Sequence, residues 1–222
     1  MIGLLGLALA GLFLTGCASI SKTALVKGQE NIDVSKKSVG LLYVKVANEH
    51  KPGYQPKIWL TSFERNIFSK GSRKRFGFKV DAPYKSEKNA FTEYLLTVGL
   101  EPGVYDSVNF MSKYNIPLLL TAEANLYLKT QVEIKPNTVV YLGHIDAVIR
   151  KRTNDAEVRA GPVVPIVDQA VAGFYTATFG VSIRDEFDSD MQLFTREFPG
   201  LQKAKIEKAV IPASSEVVKC PF

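Results

Sequence analysis

Apolar side chains recur at alternate positions through much of the chain between Val39 and Ile183, which is the period of a β-strand and not of a helix. The run Val39-Gly40-Leu41-Leu42-Tyr43-Val44-Lys45-Val46 is apolar on both faces and reads as a central strand covered on both sides. Lys57 to Phe63 puts Trp59, Thr61 and Phe63 on one face, with Ile58 and Leu60 on the other. Tyr94 to Val98 leads into Glu101-Pro102-Gly103-Val104, where Pro at the second position and Gly at the third predict a type II turn. Val104 to Phe110 alternates again, so a hairpin is expected there. Leu118 to Leu128 is rich in helix formers, yet Leu118, Leu120, Ala122, Ala124, Leu126 and Leu128 alternate without a break, and the alternation predicts a strand. A short strand at Val132 to Ile134, a turn at Lys135-Pro136-Asn137, a long strand at Thr138 to Ile149 and a last one at Phe174 to Ile183 complete the pattern. About eight short strands punctuated by Gly and Pro turns predict a mainly β protein, an antiparallel β-sandwich.

The ends of the chain break the alternation. Asp188 is placed to cap a short helix through Met191 to Phe194, Pro199-Gly200 ends it, and the Lys- and Ala-rich stretch Leu201 to Val210 is compatible with a second helix. Within the irregular connection Thr153 to Gly173, Pro165 is placed to open a helical turn and Gly173 to close it. Ala18 to Ser38 is polar with isolated apolar residues, and reads as a tether. At the start, an uncharged apolar run from Ile2 to Leu14 has the length of a signal h-region, although no Lys or Arg follows Met1.

That run closes on Leu14-Thr15-Gly16-Cys17, which resembles the lipobox of bacterial lipoproteins. The resemblance implies a signal peptide over 1–16, cleavage between Gly16 and Cys17, a diacylglycerol on the Cys17 thiol and an N-acyl chain on its amine, with no other cofactor. It divides the chain into that signal, a lipidated Cys and tether over 17–37, and one sandwich domain over 38–222. Ala18 resembles the residue that permits outer-membrane residence in a Gram-negative host, on the periplasmic side. Two or three acyl chains anchor stably where one binds marginally. The turn Pro102-Gly103-Val104-Tyr105 and the later Tyr141-Leu142-Gly143 also resemble small β-sandwich domains of envelope lipoproteins. Gly143 in mid-strand predicts a bulge or a close backbone approach beside Tyr141.

Charge and candidate chemistry change this picture little. A net charge of +6 and a pI near 9.2 suit an anionic lipid or glycan surface, and no nucleic-acid-binding motif accompanies them. With Cys17 lipidated, Cys220 is left without an intramolecular disulfide partner, and reads as an inert tail thiol or as one available for an intermolecular bridge. Lys70, Arg73, Lys74 and Arg75 form a basic loop between Phe68 and Phe76, a candidate for binding anionic headgroups or glycans. Read as an exposed loop, it is expected to tolerate replacement with little change in stability. His144 and Asp146 share a strand face, where a dyad or ligand pair is geometrically possible and an exposed polar stripe is the plainer reading. The other histidine, His50, is far away in sequence, and no nucleophile elbow or zinc helix is present. Asp185, Glu186, Asp188 and Asp190 depart from calcium-loop spacing and suit a helix N-terminus. These features favour a lipid-anchored, non-enzymatic structural or interaction module whose partner is an envelope protein or glycan. A ligand- or glycan-binding lipoprotein and an envelope hydrolase are the alternatives.

Overall fold

The alternation becomes strand in a computed structural model that describes residues 20–66, 73–115, 121–162 and 171–219. In chain order the elements are β1 (Ile20–Ser21), β2 (Ser38–Asn48), β3 (Lys57–Asn66), β4 (Arg73–Lys79), β5 (Lys85–Glu87), β6 (Phe91–Leu100), β7 (Gly103–Asn115), β8 (Thr121–Ile134), β9 (Val139–Lys151) and β10 (Ala177–Arg184). They are followed by helix α1 (Phe187–Glu197), a 3-10 helix (Pro199–Lys203), β11 (Ile206–Lys208) and β12 (Glu216–Val217). One sheet runs β1-β4-β3-β7-β8-β12. The second runs β10-β9-β2-β6-β5, and β11 takes the stretch of β9 that β10 leaves open.

The two sheets pack face to face as a β-sandwich. Register lines up Phe63 with Phe76 and Val108, and Val108 with Leu128, so four strands of the first sheet present large apolar side chains together. Leu42, Val44, Val46, Leu96, Val98 and Ile145 meet them from the second sheet. Odd-numbered residues of β2 face the other way, where Val39, Leu41 and Tyr43 pack under Met191, Phe194 and Phe198. The second sheet is therefore the middle of three layers, which is why β2 is apolar on both faces. β2 pairs antiparallel with β6 and parallel with β9, so the sheets are mixed, although most pairs are antiparallel.

Several expectations are corrected by this topology. The Pro102-Gly103 turn does not make a hairpin: β6 lies in the second sheet and β7 in the first, so the turn carries the chain between layers. β6 already has β2 and β5 on its two edges and offers none to β7. Gly103 has φ 143°, away from the roughly +80° of a type II turn, and a Cβ there would lie 2.8 Å from the Arg65 guanidinium. Of the expected strand Leu118 to Leu128, residues 116–120 lie outside the described ones, and the remainder is continuous with Val132–Ile134 in β8. Thr130 keeps the alternation intact through polar residues that look like a break. Leu201 to Val210 is not helical beyond the 3-10 turn, because Ile206 pairs with Val139 and fills an open edge. Glu186 and not Asp188 is the N-cap of α1, with no side-chain cap bond, and Asp188 stands in the first turn. Val171 and Ala172 are helical and Gly173, at φ 78°, closes them; Pro165 lies outside the described residues.

From Ile20 onward, the segment expected to be a tether is part of the fold. β1 pairs parallel with β4, the Ala24 amide donates to the Thr97 carbonyl, and Leu25 is buried with Ile32 and Val34 packed alongside. Further along, the Gly28 amide donates to the Glu197 carbonyl and the Gly200 amide to that of Gln29. The physical reason is that the outer face of the middle layer needs more cover than an eleven-residue helix supplies. A Cβ on Gly200 would meet backbone atoms of Glu30 at 2.9 Å. Gly200→Ala is therefore expected to destabilise the protein by about 1–3 kcal/mol, lowering Tm by roughly 2–10 °C in thermal denaturation. The same variant should be cut by trypsin at Lys27 sooner than the wild type. Immediate wild-type cleavage at Lys27 would contradict a docked arm.

Candidate functional site

Strict alternation along β9 would place Tyr141, Gly143 and Ile145 on one face. Instead the register against β2 slips between Leu41 and Leu42, skipping Leu142, and Gly143 takes up the irregularity at φ 118°. This bears out the bulge expected at Gly143. Its consequence is that Tyr141, His144 and Asp146 share the outer face beneath α1, while Leu142 and Ile145 enter the core.

α1 lowers Asp190 onto that face, where its side chain is only 3% exposed. The Tyr141 hydroxyl donates to Asp190 Oδ2 at 2.7 Å, and His144 Nδ1 lies 3.0 Å from Oδ1. His144 Nε2 lies 3.7 Å from Asp146, whose other oxygen receives Arg184 at 2.7 Å. The Tyr43 ring stacks on the imidazole with centroids 4.0 Å apart. Burial alone would lower the His144 pKa, but Asp146 and Asp190 outweigh it and push it up to about 9. The His144 contact holds the Asp146 carboxyl below its usual range, with burial opposing and Arg184 assisting. His144 and Asp146 thus form one side of a larger, largely buried cluster and not an exposed polar stripe. At neutral pH the imidazole is a cation with a carboxylate toward each nitrogen, an arrangement that fastens a helix to a sheet and holds its proton instead of accepting one. His50 is separate: beyond the end of β2, its Nε2 lies 3.0 Å from Thr176 Oγ1.

The basic residues have their own partners. Lys70 lies outside the described residues; Arg73, Lys74 and Arg75 open β4. Arg75 Nε donates to Glu64 Oε1 at 2.6 Å, and the Tyr127 hydroxyl donates to Glu64 Oε2 at 2.9 Å while lying 2.9 Å from Ser107 Oγ. Arg73 stands 3.9 Å from the same carboxylate, which is 2% exposed. Lys74 Nζ lies 3.0 Å from Glu101, which also receives Arg65 at 2.6 Å. Burial would raise the Glu101 pKa, but Lys74, Arg65 and Lys37 bring it below the usual range. Arg65 in turn lies over the Phe76 and Tyr105 rings, at 5.1 and 5.9 Å from their centroids. The three described cations are strand residues bound to carboxylates, so the expectation that they are freely replaceable does not hold for Arg75.

Other features are dispersed. Asp185 pairs with Lys208 and Glu186 with Arg184, so the acidic run divides among different partners. Among the described residues no group of three or more His, Cys, Asp or Glu side chains is placed to hold a metal ion. A cleft of about 300 Å³ opens between the arm at Thr23–Lys27, Tyr94–Thr97 of β6 and the Val80–Tyr84 connection, but Trp59 does not line it. Gly16, Cys17 and Cys220 lie outside the described residues. Sequence reasoning missed Asp190, Tyr141, Glu64 and Glu101 as partners; only the oddly placed Gly143 pointed toward any of them. The chain was compared with protein-family profiles, curated proteins and solved structures, and none of the three comparisons finds a match.

An NMR titration of His144 should give a pKa near 9 that falls in Asp190→Asn. Because the folded value exceeds the ordinary histidine value of 6.5, this stabilisation is full below about pH 6.5 and fades as the pH rises through 9. An unshifted wild-type pKa would refute the cluster. For the second group, Arg75→Gln leaves Glu64 buried with less compensation and should cost roughly 3 kcal/mol in urea denaturation. Lys74→Gln, at a half-exposed pair, should cost under about 1 kcal/mol. Equal losses would overturn the distinction.

Proposed function

We propose that the protein is a bacterial lipoprotein, anchored in the cell envelope through acyl chains on Cys17, that acts as a non-enzymatic structural or interaction module. The observation that carries this reading is Leu14-Thr15-Gly16-Cys17 at the close of an uncharged apolar run. Among the described residues no helix is long and apolar enough to cross a membrane. The polar clusters support a structural role, since the His144, Glu64 and Glu101 groups are each engaged in joining elements of the fold. In a Gram-negative host Ala18 favours the outer membrane, facing the periplasm. The 300 Å³ cleft favours a second reading, a binding module for a small, mainly apolar ligand.

Cells fed labelled fatty acid decide the matter. Wild-type protein should incorporate label and lose the mass of residues 1–16, whereas Cys17→Ser should remain an unlabelled precursor. Ala18→Asp should keep the label and move toward the inner membrane on a density gradient. Wild-type protein recovered at precursor mass, without lipid, would overturn the anchor.

A further inference from the structure

The docked arm leaves almost no free chain between an anchor at Cys17 and the folded domain. Ile20 pairs with Gly77 and Ser21 with Phe78, and three residues of extended chain from Cys17 to Ile20 span about 10 Å. A free tether of twenty residues would average about 25 Å. Surface electrostatics fade over a Debye length of about 8 Å at physiological ionic strength, so the difference decides whether the domain feels the headgroups at all.

The direction of β1 selects which end of the sandwich lies nearest. β1 and β4 are parallel, so the N-terminal end of β1, at Ile20, faces the same end of the sandwich as Arg73 and Lys74 at the start of β4. Their side chains are 52% and 43% exposed. The same end carries Lys37, whose stem would lie 3.5 Å from a Cβ on Gly99, and Lys135, whose carbonyl receives the Ser38 hydroxyl at 2.6 Å. Lys37 and Lys135 are exposed. Lysines also occur at the opposite end, where Lys57 stands across from Lys113 and Lys51 follows β2, so charge alone does not choose. The entry of the anchor does.

Resting on the lipid-anchor reading, the geometry points to the end bearing Lys37, Arg73, Lys74 and Lys135 as a docking surface for anionic lipid headgroups, with the domain held flush on the bilayer. Carboxylates within this end, Glu64, Glu101, Glu133 and Glu207, are outnumbered by its cations, Lys37, Arg65, Arg73, Lys74, Arg75 and Lys135, although Glu207 pairs with Lys135 at 3.1 Å.

The test uses the full lipidated protein in vesicles of phosphatidylcholine alone or mixed with phosphatidylglycerol. Amine acetylation is read lysine by lysine by mass spectrometry. On the anionic vesicles Lys37, Lys74 and Lys135 should react several-fold more slowly than on neutral ones, while Lys51, Lys57 and Lys113 stay unchanged. Salt at about 0.5 M should erase the contrast. Equal reactivity at both ends, or slowing at the Lys51 end, overturns the docking surface. Flotation with phosphatidylcholine vesicles reports the anchor separately: failure to float removes the anchor reading, whereas flotation without end-selective slowing removes only the surface. Equal protection of the same lysines by a soluble acidic polysaccharide, with no vesicle present, would make this a polyanion site and overturn a membrane surface.

Discussion

A carboxylate held away from water needs compensation close by, and Asp190 finds it only because the strand beneath it is irregular. Had β9 kept a perfect alternation, Tyr141 and His144 would face opposite sides and the helix could not collect both. Gly143 absorbs the one residue that falls out of register, and a Cβ at that position would approach Val210 at 3.1 Å and the Arg184 carbonyl at 3.4 Å. The third layer depends on that adjustment. α1 covers Val39, Leu41 and Tyr43 with Met191, Phe194 and Phe198, and the Asp190 cluster fixes where along the sheet the helix sits.

The same logic recurs on the first sheet with the signs exchanged in importance. Glu64 and Glu101 are anions embedded near a run of cations, and they turn what looks like a loose basic stretch into paired strand. Arg65 shows how closely the two kinds of force are combined. Its guanidinium spans the faces of Phe76 and Tyr105 and reaches Glu101, closing the end of the core where the chain passes from one sheet to the other.

Period-two alternation made most strands legible, including β8, where helix propensity argued the other way. Gly143 announced its bulge because a glycine amid large apolar residues forgoes packing, a loss that an irregular or closely approached backbone makes necessary. What alternation does not carry is which strand pairs with which. The parallel pairing of β2 with β9 and the passage at Pro102-Gly103 depend on edges being free or taken, a property of the assembled sheet. The arm was misread for a related reason. Its apolar residues, Leu25, Ile32 and Val34, are sparse and irregularly spaced because they fill gaps around a helix and do not form an element of their own. At the candidate site, His144 and Asp146 were visible as neighbours on one strand, but Asp190 came from an acidic run whose members look alike until one of them is buried.

The clasp between Gly28–Gln29 and Glu197–Gly200 joins nearly opposite ends of the described chain. Pairing of β2 with β9 likewise spans about a hundred residues. Such a fold cannot close from its beginning. An emerging chain holds β2 without its parallel neighbour and the arm without its seat until the last helix has been made, so local elements accumulate while the layers wait. Folding of this kind is slow, with contacts of long sequence separation forming late. Until residues 197–200 arrive, the apolar outer side of the middle sheet stays open to whatever holds unfolded chains. The clasp is thus a completion signal: protection of the N-terminal arm against exchange reports that folding has reached the C-terminal region.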